Sequence, residues 1–155
     1  MTELTTGSKA PNFSLPRDGG GTVSLADFTG KPLVLYFYPK DDTSGCTIEA
    51  NDFSRLKDDF AAADAAIIGV SPDSAKSHDK FVKKHNLTIT LAADEEKQTL
   101  EAYGVWAEKS MYGKKYMGVE RSTFLIGKDG TIARVWTKVK VPGHAEEVLA
   151  AVKAL

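Results

Sequence analysis

The sequence predicts a single α/β domain with a mixed central sheet flanked by helices, on three observations. Strand-like and helix-like segments alternate along the chain, two strand-like runs are apolar almost without interruption, and a hairpin followed by a helix closes the sequence. Length agrees, since 155 residues suit one domain, here 1–155, with a core of its own.

The elements follow in order. Phe13 to Leu15 and Thr22 to Leu25 flank Pro16-Arg17-Asp18-Gly19-Gly20-Gly21, which reads as a short N-terminal hairpin with a flexible loop. The glycine triplet is scaffold: a phosphate loop needs a strand before it, a helix after it and a lysine. Ala26 to Gly30 is a brief turn. Leu33 to Tyr38 has no strongly polar residue and suits a strand buried on both faces, ended by Pro39, which has no amide hydrogen for a ladder. After the loop Lys40 to Gly45, Phe53, Leu56 and Phe60 recur at three- and four-residue spacing, the mark of an amphipathic helix.

Ala65 to Val70 is a second buried strand, and Ser71-Pro72-Asp73-Ser74 leads into a helix with Pro72 at its first position. Phe81 and Val82 give that helix an apolar face, while His78 and His85 read as solvated. At 1.5 Å per residue the two histidines lie about 10 Å apart along the axis, too far to share a small metal ion. Leu87 to Leu91 alternates as a strand does, and Glu95 to Tyr103 is a short helix stopped by Gly104. Val105 to Glu120 is the least regular stretch and reads as a loop forming one rim of a pocket, with Lys114-Lys115 in solvent. Thr123 to Ile126 and Thr131 to Trp136 flank Gly127-Lys128-Asp129-Gly130, an antiparallel hairpin with Asp-Gly turn chemistry. A helix from His144 to Ala154 buries Val148, Leu149 and Val152, with His144 structural or solvent-facing rather than catalytic.

Chemistry concentrates on Cys46, the only cysteine. A lone cysteine is by default a small buried hydrophobe. Against that default stands its place: it follows a polar loop at the carboxyl end of a strand, where α/β sheets put their sites, and falls at the start of a helix. Unpaired amides and the positive end of the helix dipole favour an anion there, and a thiolate is the nucleophilic form of the side chain. Thr43, three residues earlier, suits either a helix cap or a catalytic hydroxyl, and could serve as both.

These residues carry a resemblance. Pro39-x-x-x-Thr43-x-x-Cys46 resembles the peroxiredoxin signature, and YFYPKDDTSGCTIEA is similar to the branch called bacterioferritin comigratory protein, or PrxQ. Arg121-Ser122-Thr123-Phe124-Leu125-Ile126 resembles the segment that supplies the family's arginine, and the likeness runs from about Lys9 to the C-terminus. The resemblance implies a thioredoxin-like fold with an N-terminal hairpin, which periodicity alone does not select. It also implies roles: Cys46 as the peroxidatic cysteine, Thr43 and Arg121 as its polar partners, Pro39 as a shield over the pocket, and Glu49 as a holder of the site's hydrogen bonds. Two departures stand out. Ser44 replaces a frequent proline, and the positions where relatives place a resolving cysteine hold Asn51 and the neighbourhood of Val82, so no internal disulfide can form.

The implied activity is a thiol-dependent peroxidase acting on hydrogen peroxide and organic hydroperoxides. Its one-cysteine cycle would be completed by an external thiol: thioredoxin, glutaredoxin or glutathione. A peroxide sensor that relays oxidation to a partner protein is the alternative, and an inert interaction module would need an unreactive Cys46. No cofactor or metal is expected. Twenty basic and twenty-one acidic side chains, net charge −1, offer no bulk attraction for nucleic acid or anionic membrane. The start MTELTTGSKAP lacks the apolar core of a signal peptide, and a lone cysteine fits a reducing compartment, so the expected protein is cytoplasmic and a monomer or weak homodimer.

Overall fold

The computed structural model describes residues 4–155; Met1 to Glu3, part of the stretch read for a targeting signal, lie outside the described residues. A five-stranded sheet organises the chain, in the order β5-β4-β3-β8-β9. At its centre β3 (Leu33–Phe37) pairs in parallel with β4 (Ala66–Ser71), and β4 pairs in parallel with β5 (Thr90–Ala93). On the other side β3 runs antiparallel to β8 (Ser122–Ile126), which forms the Asp-Gly hairpin with β9 (Ile132–Trp136). The sheet is therefore mixed, as expected.

Side-chain alternation in β3 divides the core into two layers. Val34 and Tyr36 face one side with Phe53 of α1 (Ser44–Arg55), Phe60 of α2 (Lys57–Ala62), Phe81 of α3 (Ala75–His85), and Val148 and Val152 of α5 (His144–Lys153). Leu33, Leu35 and Phe37 face the other, with Leu15 and Val23 of the N-terminal hairpin β1 (Ser14–Pro16) and β2 (Thr22–Ser24), and Leu100 of α4 (Gln98–Ala102). A single 3-10 turn, Leu25–Phe28, joins β2 to the sheet. Because both faces are covered, every residue of β3 is buried.

Close approach fixes one glycine. A Cβ on Gly69 of β4 would stand 2.6 Å from the ring of Tyr36 and 2.9 Å from Leu91, both fully buried. Gly69→Ala is accordingly expected to cost about 1–3 kcal/mol by overpacking, read as a lower urea midpoint at unchanged slope.

Several boundaries differ from the sequence reading. The helix after Cys46 is two helices meeting at Leu56. Pro72 lies in the turn before α3 and not at its first position, because the capping residue is Ser74, whose Oγ accepts the Ser77 amide at 3.1 Å. The strand expected at Leu87 to Leu91 starts at Thr90, and the helix expected from Glu95 starts at Gln98. The largest correction concerns Val105 to Glu120. It is not a loop but a ribbon, β6 (Trp106–Met111) paired with β7 (Lys114–Val119), turning at Tyr112 and Gly113 with φ of 52° and 77°. Two central residues at positive φ suit the twist of a two-residue hairpin. Lys114 and Lys115 are exposed, as expected.

Candidate active site

Antiparallel pairing brings the two halves of the site together. The start of β8 lies beside the end of β3, with Ser122 opposite Phe37, so Arg121, just before β8, arrives where β3 gives way to α1. Its backbone is held there: the Arg121 carbonyl accepts the Val139 amide at 3.0 Å, and Ser122 Oγ donates to the Glu120 carbonyl at 3.0 Å.

Cys46 stands at the third position of α1 and is 2% exposed. The Thr47 amide reaches the Thr43 carbonyl at 2.8 Å as the first intrahelical bond, so the amides of Ser44, Gly45 and Cys46 precede the helix ladder. Arg121 bridges the sulfur to a carboxyl: Nη2 donates to Cys46 Sγ at 3.3 Å and Nη1 to Glu49 Oε1 at 2.6 Å. Gly45 makes room for this fork, since a Cβ there would sit 3.3 Å from Nη2.

Electrostatics follow from burial. Desolvation pushes the Glu49 carboxyl up to about 7, with the Arg121 charge and hydrogen bond opposing it. Glu49 Oε2 is buried and has no partner in the structure. Burial alone would weaken the Arg121 charge, but Glu49 and Cys46 more than offset this and its pKa lies above the usual arginine value. The guanidinium is therefore a fixed cation between the sulfur of Cys46 and the carboxyl of Glu49.

The other named residues are placed less directly. Thr43 occupies the N-cap backbone position, φ −90° and ψ 158°, but its side chain makes no cap bond. Its hydroxyl donates instead to the Lys40 carbonyl at 2.9 Å, tightening the loop before the helix. Pro39 is half-buried, two residues past the end of β3. His144 is buried and structural: Nε2 lies 2.8 Å from Thr123 Oγ1, with Phe53 and Trp136 rings edge-on to it.

Burial, aided by the Arg121 charge and opposed by Glu147, lowers the His144 pKa to about 4. Unfolded chains protonate histidine near 6.5, so between the two values the unfolded state binds the extra proton. His144 thus contributes stability that is complete above about 6.5 and is lost as pH falls toward 4. His144→Gln is expected to flatten this acid limb by about 2 kcal/mol between neutral pH and about pH 4.5, measured by urea unfolding.

The reading of His78 and His85 as solvated is corrected. His78 is fully buried and bonds Asp41 at 2.7 Å; His85 is half-buried and bonds Asp42 at 2.7 Å. Their hydrogen-bonding groups hold the loop between β3 and α1. A signal existed in the sequence: His78, Phe81, Val82 and His85 share one helical stripe, and only the charged neighbours disguised it. Among the described residues no group of three or more histidine, cysteine, aspartate or glutamate side chains is arranged to hold a metal ion.

Comparison with known proteins gives the family and the fold. The AhpC/TSA family matches residues 6–135. Peroxiredoxin Bcp of Bacillus subtilis (strain 168) is 54% identical over 147 residues, covering 95% of this chain and 94% of its own. Among solved structures, a cysteine-to-serine variant of PrxQ from Xylella fastidiosa superposes with a TM-score of 0.94 at 42% identity, covering 99% of this chain and 98% of its own. Bacterioferritin comigratory protein of Xanthomonas campestris, 47% identical with a TM-score of 0.88 over 92% of this chain and 90% of its own, has been solved as trapped intermediate and ligand complexes bearing on its alkyl peroxide reduction activity. A thioredoxin-like sheet with its cysteine at the head of α1, together with these likenesses along nearly the whole chain, makes this protein a member of the AhpC/TSA family, on the peroxiredoxin branch of the Bcp and PrxQ proteins.

Proposed function

We propose that this chain, acting as one domain over 1–155, is a thiol-dependent peroxidase that reduces hydrogen peroxide and organic hydroperoxides at Cys46. The observation that carries the reading is the 3.3 Å contact between Arg121 Nη2 and Cys46 Sγ, a fixed cation set against a sulfur at a helix N-terminus. The Cys46 thiolate attacks the terminal oxygen of the hydroperoxide. A sulfur–oxygen bond forms as the O–O bond breaks, sulfur gives up two electrons, and the leaving oxygen takes a proton to become water or an alcohol. Negative charge moves from sulfur to the departing oxygen, so donors must serve both. Arg121 and the first-turn amides of α1 suit that demand, and Glu49 orients the guanidinium. Thr43 contributes through its hydroxyl oxygen and by holding Lys40, and Pro39 screens the sulfur from water.

The product is a sulfenic acid on Cys46. Cys46 is the only cysteine in the sequence, so a second sulfur has to come from outside. One external thiol condenses with the sulfenic acid, releasing water and leaving a mixed disulfide; a second thiol displaces Cys46 as thiol. Thioredoxin, glutaredoxin or glutathione would serve this cytoplasmic protein as a monomer or weak homodimer. No described helix is long and apolar enough to cross a membrane.

A stoichiometry tests the cycle. Without added thiol the reduced protein is expected to consume about one equivalent of peroxide and stop, and added thiol should restore turnover. Sustained consumption without thiol would contradict the one-cysteine scheme, and a stable mixed disulfide with one protein would indicate the relay instead.

A further inference from the structure

The loop that delivers Cys46 is fastened to α3 by a buried pair with no part in the scheme above. His78 has no exposed surface, and both ring nitrogens meet oxygen. Nδ1 lies 2.7 Å from Asp41 Oδ2, and Nε2 lies 2.9 Å from the carbonyl oxygen of Ala92 in β5. A carbonyl only accepts, so Nε2 bears a hydrogen. Asp41 Oδ2 also accepts from Ser77 Oγ at 2.8 Å, and Oδ1 accepts from Tyr38 Oη at 2.5 Å. The arrangement that avoids opposed lone pairs places a second proton between Nδ1 and Oδ2. As imidazolium and carboxylate the pair is neutral overall and both ring nitrogens are satisfied.

What the pair fastens is the β3–α1 loop, five residues before the sulfur. The Asp41 amide donates to Asp73 Oδ2 at 2.8 Å, and Ser71 Oγ donates to the same oxygen at 2.7 Å. Asp42 follows in the left-handed region, φ 60°, held by Lys84 at 2.6 Å and His85 at 2.7 Å. Without the second ring proton, the Nδ1 lone pair would face Asp41 Oδ2 at contact distance, and Asp41 would have to withdraw with its loop.

We propose that His78 is a positioning residue for the peroxidase reaction: its second ring proton holds Asp41, and through Asp41 the loop and first turn of α1, in the placement from which Cys46 attacks. The kinetic half of this inference rests on Cys46 being the reacting sulfur, while the protonation of the ring does not. The groups that face the ring are Tyr38 from the end of β3, Asp41 from the loop, Asp73 from the turn before α3, Ser77 on α3 itself and the Ala92 carbonyl from β5. Burial opposes a charged ring, but the Asp41 hydrogen bond and charge, with Ala92 and Asp73, raise the His78 pKa above its usual value. The proton is thus present at lower pH and is lost as pH rises through that raised value.

The test pairs nitrogen-resolved NMR of the histidine rings in the reduced protein with stopped-flow oxidation of Cys46 by hydrogen peroxide against pH, in wild type, Asp41→Asn and His78→Gln. In Asp41→Asn the amide can donate to a bare Nδ1 and to Ser77 while accepting from Tyr38, so no titrating proton is needed. The expected results are a doubly protonated His78 ring at neutral pH and a ratio of wild-type to Asp41→Asn rate constants that falls at least about threefold as the ring deprotonates. His78→Gln, leaving Asp41 without its ring partner, is expected to oxidise about tenfold more slowly. A bare Nδ1 at neutral pH, a ratio that stays flat through the ring's titration, or a folded His78→Gln at the wild-type rate would overturn the proposal; if that variant does not fold, the other two proteins decide. Failure of Cys46 to react in all three proteins, wild type included, would overturn the peroxidase reading and the kinetic half of the proposal with it, while the ring measurement would still decide the protonation of His78.

Discussion

Cys46→Ser is expected to consume no peroxide above the buffer background. A serine hydroxyl keeps its proton at working pH and is a far weaker nucleophile than a thiolate, so the reacting electron pair is removed while its surroundings stay. The surroundings should tolerate the change. The side chain is 2% exposed, nearly isosteric, and the new oxygen can accept the Arg121 Nη2 hydrogen that now reaches sulfur at 3.3 Å. Stability is expected to shift by less than about 1 kcal/mol, so loss of activity in a folded variant reads as loss of the nucleophile. A Cys46→Ser protein that kept the wild-type rate would move the chemistry elsewhere.

Arg121→Leu is expected to lower the rate constant for Cys46 oxidation by about 10²- to 10³-fold, the usual consequence of deleting one well-aimed donor from charge that moves in the transition state. Glu49 decides whether the variant folds. Burial already raises its carboxyl to about 7 against the pull of Arg121, so removing the arginine raises it further and leaves a neutral acid at neutral pH rather than a bare buried charge. The variant should therefore fold and take up a proton. Arg121→Lys should fall between the two, because one ammonium replaces a planar fork that reaches sulfur and carboxyl at once. Stopped-flow oxidation of the three proteins, with urea unfolding alongside, separates the catalytic loss from any loss of fold.

Much of this architecture was legible because it is written in periodicity and turn chemistry. Leu33 to Tyr38 announced a doubly covered strand, and Asp129-Gly130 announced the closing hairpin. Cys46 and Arg121 were singled out together only by family resemblance; that they touch follows from β8 running antiparallel to β3, a pairing no local pattern encodes. The ribbon from Trp106 to Val119 escaped notice because most of its side chains on both faces meet solvent, leaving no apolar alternation to read, and because Tyr112-Gly113 is not a common turn dipeptide. The burial of His78 is hidden in the sequence for a related reason. Its partners Asp41 and Ala92 are distant in sequence, and a histidine between Ser77 and Asp79 looks solvated until Phe81 and Val82 are counted on the same stripe.

The most direct test of a sulfur activated by a guanidinium is to mix reduced protein with one equivalent of hydrogen peroxide in a stopped-flow cell and then map the added oxygen by peptide mass analysis. One oxygen is expected on Cys46, gained far faster than by a free small-molecule thiol, with that advantage largely lost in Arg121→Leu. Oxygen found on the exposed Met111 or Met117 in place of Cys46, or a Cys46 rate indifferent to the loss of Arg121, would contradict it.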